Sequence, residues 1–235
     1  WLRRVRAMAP FQLSDEIEKM IAERSPTGSG AWVRLFDETT TSRRFAFQGS
    51  GVTEAEILDA LSSTDPAKRK EAGHSLSTTL KDHQRLLSLV INTIVKDKQI
   101  EDGWRGFDRP VSSRNLANDV DDNVVDALVE AVNGRNEDLS HRYYALKSGW
   151  MGKKQIDWWD RNAPLPGDND RQYSWTDAQE IVLDAFGGFD ADMAEIAKPF
   201  FDKNWIDAAP RAGKSSGAFS HPVVPSAHPY ILMNF

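Results

Sequence analysis

The side chains most able to do chemistry in this 235-residue chain are five histidines, His74, His83, His141, His221 and His228. None opens a His-Glu-x-x-His sequence, in which two imidazoles one helical turn apart hold zinc and the carboxylate between them acts as general base. The residues that follow them are Ser, Gln, Arg, Pro and Pro. His74 and His83 fall in one helical pattern nine residues apart, about two and a half turns, so they face opposite ways and cannot share a metal. His221 and His228 flank an extended C-terminal stretch and could approach each other, but with no carboxylate beside them the ligand set is incomplete. Asp119, Asp121 and Asp122 lack the order of a calcium-binding EF-hand loop and sit where a helix N-terminus favours negative charge. Gly213-Lys214-Ser215 has the tail of a phosphate-binding loop without its first glycine or a following helix, and no nucleophile elbow is expected there. Trp158-Trp159, between Asp157 and Asp160, could stack on a sugar, but a plug from a loop into the core explains the pair more simply. Arg142-Tyr143-Tyr144 reads as part of a helix with its aromatics in the core and its arginine in an ion pair.

The composition narrows the field further. Lys and Arg number 29 against 35 Asp and Glu, a formal charge of −6, which argues against a nucleic-acid partner. With no cysteine there is no disulfide frame, thiol nucleophile or thiolate-held metal. The longest apolar stretch, 86–95, is interrupted by Ser88, Asn92 and Thr93, whereas a membrane span needs roughly 20 apolar residues, so no membrane partner is expected. Residues 1–8, which open on Trp1, have no apolar core of a signal peptide, and a cytoplasmic location is expected.

The elements that must position any site are mostly helical. Leu13, Ile17, Met20 and Ile21 form one stripe behind Ser14 as N-cap, and Trp32 to Phe36 carry a second apolar group. Phe45 and Phe47 alternate with polar or small residues before Gly49-Ser50-Gly51, which predicts a short β element near 41–48 and a turn. Thr53-Glu54-Ala55-Glu56 is a capping box. From Asp65-Pro66 the spacing predicts one helix to Ile100, about 50 Å long, with Gly73 its weak point. A loop over 103–113, helices near 120–132 and 139–150, a Pro/Gly/Asp surface loop over 163–170, and helices over 176–186 and 191–205 joined at Gly187-Gly188 follow. Residues 217–235 are extended, and Pro222, Pro225 and Pro229 predict an edge β-hairpin rather than a central strand. The fold class is mainly α: one irregular multi-helix lobe, 1–235. It divides into helices plus a short strand (1–62), a helical core (63–206) and an extended hairpin segment (207–235).

An ordered series of segments carries a family likeness. It runs through Ala31-Trp-Val-Arg-Leu-Phe-Asp-Glu38, Asp97-Lys98, Ser140-His-Arg-Tyr-Tyr-Ala-Leu-Lys147 and Trp159-Asp-Arg-Asn-Ala-Pro-Leu165. It continues with Phe200-Phe-Asp-x-x-Trp-Ile-Asp207, Gly213-Lys-Ser-Ser-Gly-Ala-Phe-Ser220 and His228-Pro-Tyr-Ile-Leu-Met-Asn-Phe235. In that order they resemble the oligoendopeptidase F family, zinc metallopeptidases related to thimet oligopeptidase. The resemblance covers essentially the whole chain, and its last two blocks are the most specific.

The resemblance implies a mainly helical peptidase with an internal channel for oligopeptide substrates and a zinc cofactor held by a His-Glu-x-x-His helix and a downstream Glu. That helix follows the segment resembling 228–235, so on this reading the chain is a piece ending just before the zinc site and supplies no catalytic residue and no metal ligand. Its partners would be the oligopeptide and the missing C-terminal catalytic part of the same enzyme. The resemblance also implies a strand that pairs with bound peptide through its main chain. The residues matching it are Gly217, Ala218, Phe219, His228, Tyr230, Ile231 and Asn234. The alternatives are a non-catalytic helical peptide-binding or interaction module, or one piece of a split peptidase. Under the fragment or split reading, apolar surface is exposed at the C-terminal edge and the chain is expected to self-associate. The chain by itself is expected not to hydrolyse peptides; a chelator-sensitive peptidase activity in an assay of the purified chain would refute this.

Overall fold

The computed structural model describes residues 2–167 and 171–235. In chain order its elements are α1 (Leu2–Met8), α2 (Asp15–Arg24), α3 (Ser29–Ser42), β1 (Phe45–Phe47), β2 (Ser50–Val52), α4 (Glu54–Ala60), α5 (Pro66–Asp82) and α6 (Gln84–Arg105). These are followed by α7 (Ser112–Ala117), α8 (Asp122–Asn133), α9 (Arg142–Trp150), α10 (Trp175–Phe189), α11 (Ala191–Asp202), β3 (Ile206–Asp207), β4 (Phe219–His221) and β5 (Tyr230–Leu232). The fold is mainly α with two small sheets, as the hydrophobic periods predict. Among the described residues no helix is long and apolar enough to cross a membrane. The surface loop expected over 163–170 has its last three residues outside those described.

The chain forms two compact units, each made from two separated stretches: 1–38 with 80–156, and 39–79 with 157–235. The first is tied at a polar knot. Arg105, near the end of α6, forks onto Glu18 of α2 at 2.6 and 2.9 Å, bonds Glu101 and donates to the carbonyl of Phe11. Glu18 also accepts the N–H of Leu13 at 3.0 Å, and the Phe11 ring stacks on Phe107 at 4.1 Å. In the same unit Asp122, which opens α8, accepts from Ser112 and Asn115 of α7 at 2.5 and 2.8 Å. The acidic cluster is thus a helix start, as the sequence suggests, with one member committed to joining two helices. Tyr143, expected in the core, is nearly half exposed.

The second unit has the clearest apolar core: Phe45, Ile57, Leu61 and Ala72, packed with Phe47, Val52, Ala60, Leu76 and Trp159. β1 and β2 form an antiparallel hairpin through a Gln48-Gly49 turn, both residues at positive φ. Thr53 and Glu56 close the expected capping box at the start of α4. Beneath the core lies a buried ion pair. Arg69, 2% exposed, bonds Oδ1 of Asp160, 0% exposed, through Nε and Nη2 at 3.0 and 2.9 Å, and its Nη1 caps the carbonyls of Ser63 and Thr64.

Two boundaries differ from the periodicity. The single helix expected over 65–100 is two, α5 and α6, because at His83 the ladder tightens to a bond from its N–H to the carbonyl of Leu80. The apolar spacing hides this, since Leu76 packs on one unit's core while Val90 is buried in the other. Gly73 is no weak point: a Cβ there would stand 2.9 Å from Cβ of Trp159 and 3.2 Å from the Trp158 ring, so the glycine admits the tryptophan pair. Likewise α10 continues through Gly187-Gly188, and the joint is Asp190, which ends α10 and caps α11 by accepting the N–H of Asp192 at 2.8 Å.

Replacing Asp160 with Ala leaves the Arg69 guanidinium buried and unpaired, and is expected to cost about 3–5 kcal/mol in a denaturant titration. Arg105 holds the Glu18 carboxyl down at about 2, against 4.5 for a free glutamate, so its stabilisation is complete above pH 4.5 and fades as pH falls toward 2. Glu18→Gln is therefore expected to lower stability at neutral pH and to converge with the parent chain over that window, read from urea midpoints at stepped pH.

Candidate functional site

The helical hairpin of α10 and α11 delivers the chain to a three-stranded sheet ordered β3-β5-β4. Ser174 and Asp177 form a capping box that starts α10. Trp175 then packs edge-on against Phe201 of α11 and against Phe235, at 5.9 and 5.1 Å between centroids. β5 is parallel to β3, with Ile206 opposite Ile231, and antiparallel to β4, with Phe219 opposite Leu232 and His221 opposite Tyr230. The C-terminal strand, expected at an edge, is therefore central. The prolines mislead because they flank the strands: Pro222 follows β4 and Pro229 precedes β5, where neither removes a ladder bond.

The pairing fixes which backbone groups remain open. Ile231 and Met233 give their N–H groups to the carbonyls of Trp205 and Asp207, each at 3.0 Å, on the β3 side. Successive residues of a strand present their N–H and C=O to opposite edges, so Tyr230 and Leu232 serve β4, opposite His221 and Phe219. Ser220, between those two, turns its N–H and C=O outward. All three residues of β4 are exposed. Beside it an open groove of about 490 Å³ is lined by Trp205, Phe219, His221, Tyr230 and Leu232 among others.

The seven residues matched to the substrate strand divide accordingly. Gly217, Ala218 and Phe219 lead into and begin the open-edged β4, Gly217 at φ 91°. Tyr230 lies across the ladder from His221 and is half exposed. Ile231 and Asn234 are engaged inside the sheet, the one through its N–H to Trp205, the other through its side-chain amide to the carbonyls of Ser215 and Gly217 at 3.0 Å each. His228 stacks flat on Trp205 at 3.4 Å and meets Tyr230 edge-on at 4.6 Å. Ser220 was missed, because its outward pairing is decided by the bonds between β3 and β5, which no local sequence pattern encodes. Phe219, Val223, Val224, Tyr230 and Phe235 are each about half exposed, so apolar surface is uncovered at this end, as expected.

Gly213-Lys214-Ser215-Ser216-Gly217 does have the spacing of a Gly-x-Ser-x-Gly elbow, but it leads into a strand and not a helix. Its lysine is turned inward: Nζ, on a side chain 1% exposed, donates to the carbonyls of Asp207, Ala209 and Met233 and to the Asp207 carboxylate, at 2.6–3.1 Å. Arg211 forks onto the same carboxylate at 2.5 and 2.8 Å, and Arg211 first, then Lys214, hold Asp207 at about 2. Among the described residues no three His, Asp or Glu side chains converge to hold a metal.

Comparison with known proteins agrees with this architecture. Residues 1–45 match Oligopeptidase F, and residues 60–235 match Peptidase family M3. Group B oligopeptidase PepB of Streptococcus agalactiae serotype III (strain NEM316) is 24% identical over 229 residues, covering 94% of this chain and 37% of that protein. An Oligoendopeptidase F homolog of Lactococcus lactis subsp. lactis (strain IL1403) is 25% identical over 169 residues, 72% of this chain and 28% of its own length. The solved structure of PZ peptidase A with inhibitor 2 superposes on all of this chain and 42% of its own, with TM-score 0.85 and 17% identity, which speaks to the fold. The chain spans well under half the length of these relatives.

Proposed function

Because the chain belongs to peptidase family M3, we propose that it is the part of an oligopeptide-cleaving metalloendopeptidase that receives the substrate backbone. The observation carrying this is the outer edge of β4. The Ser220 N–H and C=O project from a strand locked on its other side, and an extended peptide can add to such an edge as a fourth strand. Main-chain pairing reads no side chains, which suits hydrolysis of varied sequences. The footprint is short. Pro222, the next residue after Ser220 to face outward, has no N–H, so β4 offers one complete donor–acceptor pair, at Ser220.

On this reading Phe219, half exposed on β4, borders the bound peptide and supplies apolar contact without selecting one sequence. The zinc that the family implies would provide the activated water for hydrolysis. The described residues do not form a ligand set for it.

The test is a titration of the isotope-labelled chain with a blocked pentapeptide of Ala, Phe and Leu, followed by amide resonances. The Ser220 amide and its neighbours in β4 are expected to shift. Ser220→Pro deletes the outward donor but no ladder bond, and is expected to weaken binding about ten-fold with β5 resonances retained. Peptide-induced shifts confined to residues outside 217–232 would refute the assignment.

A further inference from the structure

The stretch between β3 and β4, residues 208–218, has almost no backbone pairing of its own: a turn bond from Lys214 to Arg211 and one bond from Phe235 to Ala208. It nevertheless has to deliver β4 against β5 in one register. Two side chains supply what the backbone does not. The Lys214 ammonium, with three protons, sits among four oxygens that come from β3, from the loop at Ala209 and from the end of β5 at Met233. The Asn234 amide, just beyond β5, spends both of its protons on the carbonyls of Ser215 and Gly217. Its bond to Gly217 lies two residues before Phe219, the first residue of β4. Gly213 and Gly217 take positive φ, 78° and 91°, with nothing within 4 Å of a Cβ at either. They are there for the conformation the two clamps impose and not for close packing.

We propose that Lys214 and Asn234 are positioning residues, which hold 208–218 so that β4 presents the Ser220 backbone pair outward at a fixed place. This rests on the reading of β4 as the peptide edge, and it assigns Asn234 a role through Gly217 in place of direct contact with substrate. The ammonium does this better than a neutral donor could. Charge-assisted bonds to three carbonyls and a carboxylate are stronger than neutral ones, and nearly complete burial of the side chain leaves water no way to replace them. Arg211 has no such part. Its side chain is 60% exposed and its guanidinium forks onto the Asp207 carboxylate without reaching the 208–218 carbonyls that Lys214 and Asn234 bind.

The experiment compares Lys214→Met, Asn234→Ala and Arg211→Ala with the parent chain by amide hydrogen exchange and by binding of the same pentapeptide. Loss of either clamp is expected to speed exchange at Phe219 and His221, the inward-paired amides of β4, by about ten-fold, while Phe45 and Ile57 keep their rates. Peptide affinity is expected to fall by a similar factor in both variants and to be unchanged in Arg211→Ala. A residue that merely stabilised the unit would alter all of these rates together. Unchanged exchange at Phe219 and His221 in Asn234→Ala overturns the proposal, as does an equal effect of Arg211→Ala. Should Lys214→Met fail to fold, Asn234→Ala decides alone. A parent chain that binds no peptide refutes the peptide edge itself, while the exchange comparison still decides whether the two side chains position β4.

Discussion

The interaction on which the second unit depends is the Arg69–Asp160 pair. A guanidinium and a carboxylate taken fully out of water are tolerable only if their polar groups are met, and here each guanidinium nitrogen is met by one carboxylate oxygen or by carbonyls. Geometry that demanding holds three pieces at once: α5, the turn over 61–65 and the segment at 157–160. The last of these lies 91 residues further along the chain than Arg69. Its Trp158–Trp159 step presses on α5 at Gly73, where no larger residue fits. The unit's return strand of chain, which leads on to α10, α11 and the sheet, starts from that fixed point.

From there the construction changes from charge to main chain. β5 is short, yet it is paired on both sides, so its polar groups are spent. All open backbone valence of the sheet on that side falls to β4. A strand of three residues with one free edge would fray if its entry were loose. Here the entry is bound by polar side chains, with Lys214 and Asn234 reaching five different carbonyls between them. The aromatic column of Tyr230, His228 and Trp205, with the Lys203 ammonium 5.3 Å from the Trp205 ring, pins the other end of β5 to the start of β3.

How much of this a sequence can carry follows from the range of the forces involved. Thr53-x-x-Glu56 was legible because a capping box is made of neighbours, and the alternation at Phe45 and Phe47 because a strand's period is two. The break at His83 was not legible, since one tightened turn scarcely moves the apolar stripe. The helix joint was misplaced to Gly187-Gly188 because glycine signals freedom, although Asp190 does the capping. The central position of β5 lay furthest from view. Three prolines suggest an edge, but they stand beside the strands, and the parity that turns Ser220 outward is set by Ile231 bonding to Trp205, 26 residues before it. Of the residues matched by family likeness, those in 217–219 reach the open edge, whereas Ile231 and Asn234 act within the sheet.

The energetics of an open strand edge also bound what β4 can contribute. A net backbone hydrogen bond is worth about 0.5–1.5 kcal/mol, so the two bonds at Ser220 supply at most about 3 kcal/mol, short of the roughly 4 kcal/mol that corresponds to millimolar binding. An edge of this kind sets the direction and register of a peptide without providing much of the affinity. The remainder has to come from apolar contact. Phe219 and Tyr230 stand half exposed around the adjoining groove, and full burial of such a side chain contributes about 1.5–3 kcal/mol. Were β4 to receive a peptide as proposed, this division would let the backbone dictate where it lies while leaving its sequence nearly free. On the proposed reading rigidity at 208–218 would matter more than any single contact, since a register set by two weak bonds is kept only if the strand offering them does not move.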